Sequence, residues 1–316
     1  MTERGMRRGL VKQSGLPALA EFHSVLVPVD LTPITDRVLG RLALLRLADA
    51  ARVTLLHVVP QSLPAAEQRR ATRDAQRALA EEVRHVRRLL PKTANVEPLL
   101  RLGTAATEIG ACASQARAEL IVMGRSGGSP LRDAFLGSTA ERVIRQARLP
   151  VLAVRSAARA GYRRPALALD LEPSAEAVIR LMLRVLPAER PVVDVIHAVA
   201  APYGRLIYPS VHAAAVEEMK GELRAQATHE LKKLLATSLG GAGVEPRHAP
   251  SWRTHVRCGS PRMLVQNVMK RAETDLLVLG SRGYSGAAYV FLGTVAGDLL
   301  RAADCDVLVV PPAARR

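Results

Sequence analysis

The sequence predicts an α/β fold built twice: two tandem doubly wound domains, each a five-stranded parallel sheet flanked by helices. Three observations carry this. The chain has 316 residues, enough for two domains of about 150. Short apolar runs rich in Val, Leu and Ile alternate with longer amphipathic stretches, the pattern of a parallel sheet covered by helices. And the chain repeats itself, which takes precedence over any local reading. SVLVPVD at 24–30 matches RPALALD at 164–170, and VTLLHVV at 53–59 matches VDVIHAV at 193–199. LIVMGRSG at 120–127 matches LLVLGSRG at 276–283, and LGSTAERVIRQARLPVLAV at 136–154 matches LGTVAGDLLRAADCDVLVV at 292–310. The offset grows from about 140 to about 156 positions, so copy two has about 16 extra residues between its second and third strands.

The elements follow in order. Residues 1–22 form a basic N-terminal tail with Arg4, Arg7, Arg8 and Lys12, and without the apolar core of a secretory signal. Domain 1 covers 23–157, with strands near 24–29, 53–59, 96–101, 119–123 and 150–154. Ala71, Ala75, Leu79, Val83, Val86 and Leu90 recur at helical spacing over 70–90. Domain 2 covers 163–313. Its longest helix is expected over 210–239, with Ser210 as N-cap, a stripe of Met219, Leu223, Leu231 and Leu235, and Gly240–Gly241 at its end.

The sharpest motif is a glycine spacing present in both copies. Gly124, Gly127 and Gly137–Ser138 in copy one match Gly280, Gly283 and Gly293–Thr294 in copy two. The first Gly of each set ends a strand, and the last pair opens a helix. Glycines let a ligand approach backbone amides closely, and a helix N-terminus offers unpaired N–H groups to an anion. Ser138 and Thr294 add hydroxyls, and Arg125 and Arg282 are expected to place a cation in each loop. Asp30 and Asp170 end the first strands, beside the point where strand order reverses and ligands bind. A carboxylate there can hold ribose hydroxyls or an adenine amine.

Together these residues resemble the universal stress proteins, in their nucleotide-binding branch. The resemblance runs over roughly 23–313. It implies strand order 3-2-1-4-5 in each domain, pairing of the two domains through their last strands, ATP binding with or without Mg2+, at most weak hydrolysis, and a cytoplasmic role in stress response. It further implies that Asp30 meets adenosine, that the Val58 backbone reads the adenine edge, and that Met123, Gly124, Gly127, Gly137, Ser138 and Thr139 surround ribose and phosphates. In copy two the matching residues are Asp170, Ala198, Gly280, Gly283, Gly293, Thr294 and Val295. Copy two departs from the pattern at Glu172, where copy one has Thr32, and at Asp306, where copy one has Pro150; both mark it as the more degenerate site.

Other chemistries find little support. No GxxxxGK[ST] loop is present. No His has a nucleophile or carboxylate at interpretable spacing, and His57 and His197, at matching strand ends, read first as structural residues. Cys112, Cys258 and Cys305 are too few and too scattered for a zinc site or disulfide framework, and fit a reducing cytoplasm. Cys258, before Gly259, is placed in a loop.

The formal net charge is +16, from 39 Arg and six Lys. The first half holds roughly twice the surplus of the second. Arg69, Arg70, Arg73, Arg77, Arg84, Arg87 and Arg88 fall mostly on one helix face, which is either a solvated outer face or a docking face for nucleic acid or lipid headgroups. No base-reading motif accompanies it, and no apolar run is long enough to enter a membrane. An interaction scaffold with vestigial nucleotide sites, using the extra segment with Tyr203 and Tyr208 to contact a protein partner, is the alternative function. Two fused domains leave both a monomer and a homodimer of the chain open.

Overall fold

The computed structural model describes residues 21–125, 137–187, 191–200, 213–242, 244, 249–281 and 292–312. Domain 1 runs β1 (Phe22–Pro28), α1 (Ile34–Leu42), β2 (Leu47–Pro60), α2 (Ala65–Leu89), β3 (Asn95–Gly103), α3 (Ala105–Gln115), β4 (Leu120–Gly124), α4 (Ser138–Gln146) and β5 (Val151–Val154). Domain 2 repeats it: β6 (Pro165–Ala168), α5 (Ala175–Val185), β7 (Val192–Val199), α6 (Ala213–Gly241), β8 (Ser251–Cys258), α7 (Pro261–Ala272), β9 (Leu276–Gly280), α8 (Thr294–Ala302) and β10 (Asp306–Val310).

The strands form one ten-stranded sheet in the order β3-β2-β1-β4-β5-β10-β9-β6-β7-β8. Each half is parallel and has the 3-2-1-4-5 order. The halves meet where β5 and β10 pair antiparallel, Leu152 opposite Leu308. Joining the halves this way leaves neither last strand as an open edge.

The inner strands β1, β4, β5, β6, β9 and β10 are mostly buried on both faces, so successive residues serve different cores, whereas β3 and β8 at the edges are largely exposed or half-buried. On β1, Val25 and Val27 pack on one side with Val38, Leu79 and Val83 from α1 and α2. Leu26, between them, packs on the other with Ile109 and Val143 from α3 and α4. Domain 2 repeats the division, with Ile179 and Leu231 on the first side and Val265 and Leu300 on the second.

Two sequence expectations need correction here. On α6 the apolar stripe is buried only at Ala227, Leu231 and Leu235; Met219 is exposed and Leu223 half-buried, because the first turns of this helix extend past the sheet core. Cys258 closes strand β8 rather than lying in a loop, opposite Val199, with its thiol directed at the Lys220 carbonyl, 3.7 Å away. Ser210, Tyr203 and Tyr208 lie outside the described residues, as does all but the end of the N-terminal tail.

Candidate functional site

In each domain the chain leaves its first strand toward one neighbour and later returns to the other side. The carboxyl ends of β1 and β4 therefore diverge, and a crevice opens there. In domain 1 this crevice is a cavity of about 450 Å³. That volume lies within the ordinary range for small-molecule sites. Its walls come from the ends of β1, β2 and β4 and from the first turns of α1, α3 and α4.

The turn after β1 is held by its own side chains. Asp30 Oδ1 accepts from the Thr32 amide (3.1 Å), the Thr32 hydroxyl (2.7 Å) and the Thr35 hydroxyl (3.4 Å). Among the described residues none of these bonds reaches Oδ2. This arrangement is an Asx turn, which short acidic side chains favour. It holds Leu31 at φ 59°, a conformation that disfavours a side chain with a Cβ. The carboxylate is exposed at the cavity rim.

His57, near the end of β2, braces the same turn. Its Nδ1 lies 2.8 Å from the Val29 carbonyl. A carbonyl only accepts, so Nδ1 is the donor in this bond. His197 does the same in domain 2, with Nδ1 2.9 Å from the Leu169 carbonyl.

Helix α4 faces the cavity with its N-terminus. Gly137 is its N-cap in extended backbone (φ -65°, ψ 143°), and no side chain caps the first turn. The amides of Ser138, Thr139 and Ala140 thus have no partner within the helix. The Gly137 amide itself donates to the Arg125 carbonyl at 2.8 Å, which closes the segment between β4 and α4 at its base. The equivalent bond in domain 2 joins Gly293 N to Ser281 O, also 2.8 Å.

Of the predicted residues in domain 1, Asp30, Val58, Met123, Gly124, Arg125, Gly137, Ser138 and Thr139 all line this one cavity. Gly127 lies outside the described residues, as do Arg282 and Gly283. In domain 2, Asp170 follows β6, Ala198 lies in β7, Gly280 ends β9, Gly293 caps α8, and Thr294 and Val295 open it. Sequence reasoning missed Ile34, Thr35 and Val38, which line the cavity from α1. Their spacing of one and four residues on a helix that starts four residues after Asp30 was the available signal.

Arg125 requires a correction. The expectation put its cation in the phosphate loop. Instead the side chain is buried, 1% exposed. It crosses to domain 2, where the guanidinium donates to the Arg301 carbonyl (2.8 Å) and the Ala303 carbonyl at the end of α8. The free carbonyls and partial negative charge of a helix C-terminus attract a cation. Burial, reinforced by Arg155, lowers the pKa of this guanidinium.

Asp306 is corrected in the same way. Its replacement of proline reflects a contact between domains, not decay of site two. The residue is 1% exposed, and its carboxylate takes Arg41 from α1, the Tyr162 hydroxyl, and the amides of Arg155 and Ser156. Burial raises the pKa of the Asp170 carboxyl, and Glu172 adds to that, against the opposing pull of the Asp170 backbone bond and His197.

Fold and cavity together define a duplicated α/β protein with a ligand crevice at the switch point of its sheet. The universal stress protein family model matches residues 21–155 and again 161–311, and the chain belongs to that family. A universal stress protein of Synechocystis sp. is 30% identical over 155 residues, 48% of this chain and 98% of that protein. One from Mycobacterium tuberculosis is 29% identical over 198 residues, 61% of either chain. Among solved structures, a universal stress protein from Archaeoglobus fulgidus superposes with TM-score 0.62 at 17% identity, covering 92% of this chain and 97% of that one. A protein of unknown function from Pseudomonas aeruginosa gives TM-score 0.61 at 17% identity, over 93% and 94%. These two structural likenesses concern the fold. No described helix is long and apolar enough to cross a membrane.

Proposed function

We propose that the domain 1 cavity binds an adenine nucleotide, ATP, and that the protein is a nucleotide-binding regulatory module of the stress response. The observation that carries this reading is the convergence of Asp30 and the uncapped N-terminus of α4 on one cavity. Asp30 uses one carboxylate oxygen to hold its own turn and offers the other to ribose hydroxyls. The amides of α4 and the Ser138 and Thr139 hydroxyls take the phosphates, as a helix N-terminus does for anions generally. The backbone at Val58 reads the adenine edge, and Met123 and Gly124 form the floor.

Among the described residues, the titratable ones in the cavity lining are Asp30, His57 and Arg125. His57 is tied to Val29 and Arg125 to the other domain, which argues for a binding site with at most weak hydrolysis. A Mg2+ ion, where present, would ride on the phosphates with its waters, since among the described residues Asp30 is the one carboxylate in the lining. Domain 2 offers the same backbone frame with a less favourable charge at Glu172, so we assign the stronger site to domain 1. A cytoplasmic location belongs to this reading and is supported by three unpaired cysteines, two of them buried.

The test is equilibrium binding of ATP to protein stripped of endogenous nucleotide, with Asp30→Ala and Ser138→Ala as variants. Saturable one-site binding, weakened in both variants, supports the assignment. Binding unchanged by either would move the site elsewhere.

A further inference from the structure

From the solvent face of α2 we infer a docking surface for the phosphate backbone of double-stranded nucleic acid, separate from the nucleotide cavity. The helix has 25 residues, about 37 Å of length. Ala75, Leu79, Val83 and Val86 bury one side against β2 and β3. At about 100° per residue, Arg69, Arg70, Arg73, Arg77, Arg84, Arg87 and Arg88 all fall in a wedge of roughly 100° on the solvent side. All seven are exposed. No acidic residue falls in that wedge: Glu67, Asp74 and Glu81 lie along one flank.

Most telling is how these side chains are paired. Elsewhere the arginines are mixed: Arg41, Arg145, Arg155, Arg164, Arg180, Arg262 and Arg301 have a carboxylate partner, while scattered ones such as Arg46, Arg142 and Arg271 have no ion pair among the described residues. On α2 only Arg84 has one among the described residues, Glu81 at 3.8 Å and fully in solvent. Arg73, Arg87 and Arg88 reach only neutral partners, the Arg69 carbonyl (3.4 Å), the Val96 carbonyl (3.0 Å) and His85 Nδ1 (3.5 Å), so among the described residues no carboxylate neutralises them. The fold does not demand this. Helix α6, at the same place in domain 2, mixes Glu217, Glu222 and Glu230 with Lys220, Arg224 and Lys232. Protein stability gains nothing from seven like charges on one ridge, since close like charges on a helix repel.

The shape of the stripe selects the partner. Arg69, Arg73 and Arg77 recur every four residues, about 6 Å along the axis, close to the spacing of successive phosphates on a strand. Guanidinium forks bind phosphate oxygens in pairs. The wedge contains no aromatic residue, so it has no platform for unpaired bases. It has no large apolar residue to enter a bilayer, and a flat anionic membrane would also press against the acidic flank. A duplex backbone is a narrow anionic ridge that meets the basic stripe alone. Recognition through phosphates alone carries no sequence preference.

The experiment uses the full chain, fluorescently labelled duplex DNA and RNA of about 20 base pairs, and anisotropy over a salt series from about 50 mM. Two quadruple variants remove the same charge: Arg69→Gln, Arg73→Gln, Arg77→Gln and Arg84→Gln on α2, and Lys232→Gln, Lys233→Gln, Lys270→Gln and Arg271→Gln at exposed positions of domain 2. The wild type should bind with steep salt dependence. The α2 variant should lose at least about tenfold in affinity, with a log–log salt slope shallower by roughly 3, while the domain 2 variant stays within about threefold of wild type. ATP binding should be equal in all three, which separates this surface from the nucleotide site. No duplex binding by the wild type at low salt overturns the inference. So does an equal loss in the two variants, or binding to phosphatidylserine vesicles without binding to duplex.

Discussion

Asp306, the first residue of the last strand, holds Arg41 of the first helix across the domain seam, Nε to Oδ2 3.0 Å, with both side chains nearly inaccessible. Tyr162 from the interdomain linker donates to the same oxygen at 2.8 Å, and its ring lies 3.9 Å beneath the Arg41 guanidinium. A buried charge pair of this kind is stable only as a complete set, because removing one member strands the other in a low-dielectric interior. Asp306→Ala should therefore destabilise the chain by about 3–5 kcal/mol. Tyr162→Phe, which deletes one hydrogen bond to a charged group, should cost about 1.5–3 kcal/mol. Urea denaturation of both variants measures this, and a loss under 1 kcal/mol for Asp306→Ala would show that the seam does not rest on it.

Arg125 leads to a separate prediction. Its guanidinium serves α8 of domain 2, although its backbone closes the loop of site one. Arg125→Met should lower stability by about 2–4 kcal/mol, since the α8 carbonyls lose their donor. It should leave ATP affinity within about threefold of wild type. A large loss of ATP affinity at unchanged stability would restore the expectation of a phosphate-facing cation.

Asp170 makes stability depend on pH. Its carboxyl pKa is raised in the fold, chiefly by burial. A raised carboxyl favours the folded state when protonated. Its contribution is thus fully present below the unfolded value, about 3.9, and is lost as pH rises through the folded one. Asp170→Asn should stabilise the protein at pH 7 and be neutral near pH 3. Denaturation midpoints of the two proteins across that range should converge on acidification; parallel curves would contradict the assignment.

The three thiols should react in a fixed order. Cys112 and Cys305 are buried, and burial, with Asp306, pushes the Cys305 thiol up to about 12. At neutral pH Cys305 holds almost no thiolate. Cys258 is only partly covered. Native labelling with an alkylating reagent, followed by peptide mapping, should modify Cys258 first and the other two only on unfolding.

The sequence made the fold legible because its signals were doubled. A parallel strand buried on both faces reads as a continuous run of Val, Leu and Ile, and each such run recurs in the other copy. Asp30, Gly137 and Ser138 were legible for the same reason: a turn, a cap and a helix start leave local marks. Arg125 and Asp306 were not, because their partners lie more than 140 residues away in the chain, and a charge looks the same whether it faces a ligand or a seam. Thr35 and Val38 were hidden in a helix whose apolar pattern serves both the core and the cavity. Met219 and Leu223 continue a helical stripe beyond the surface that the stripe covers, and periodicity does not say where a sheet ends.

The central claim is that the cavity of domain 1 takes ATP through Asp30 and the N-terminus of α4. Isothermal titration of nucleotide-stripped protein with ATP, wild type beside Asp30→Ala, tests it most directly. The account predicts saturable binding by the wild type and a loss of at least about tenfold, roughly 1.4 kcal/mol, in the variant at unchanged stability. No ATP binding by the stripped, folded wild type, or equal binding by Asp30→Ala, would contradict it.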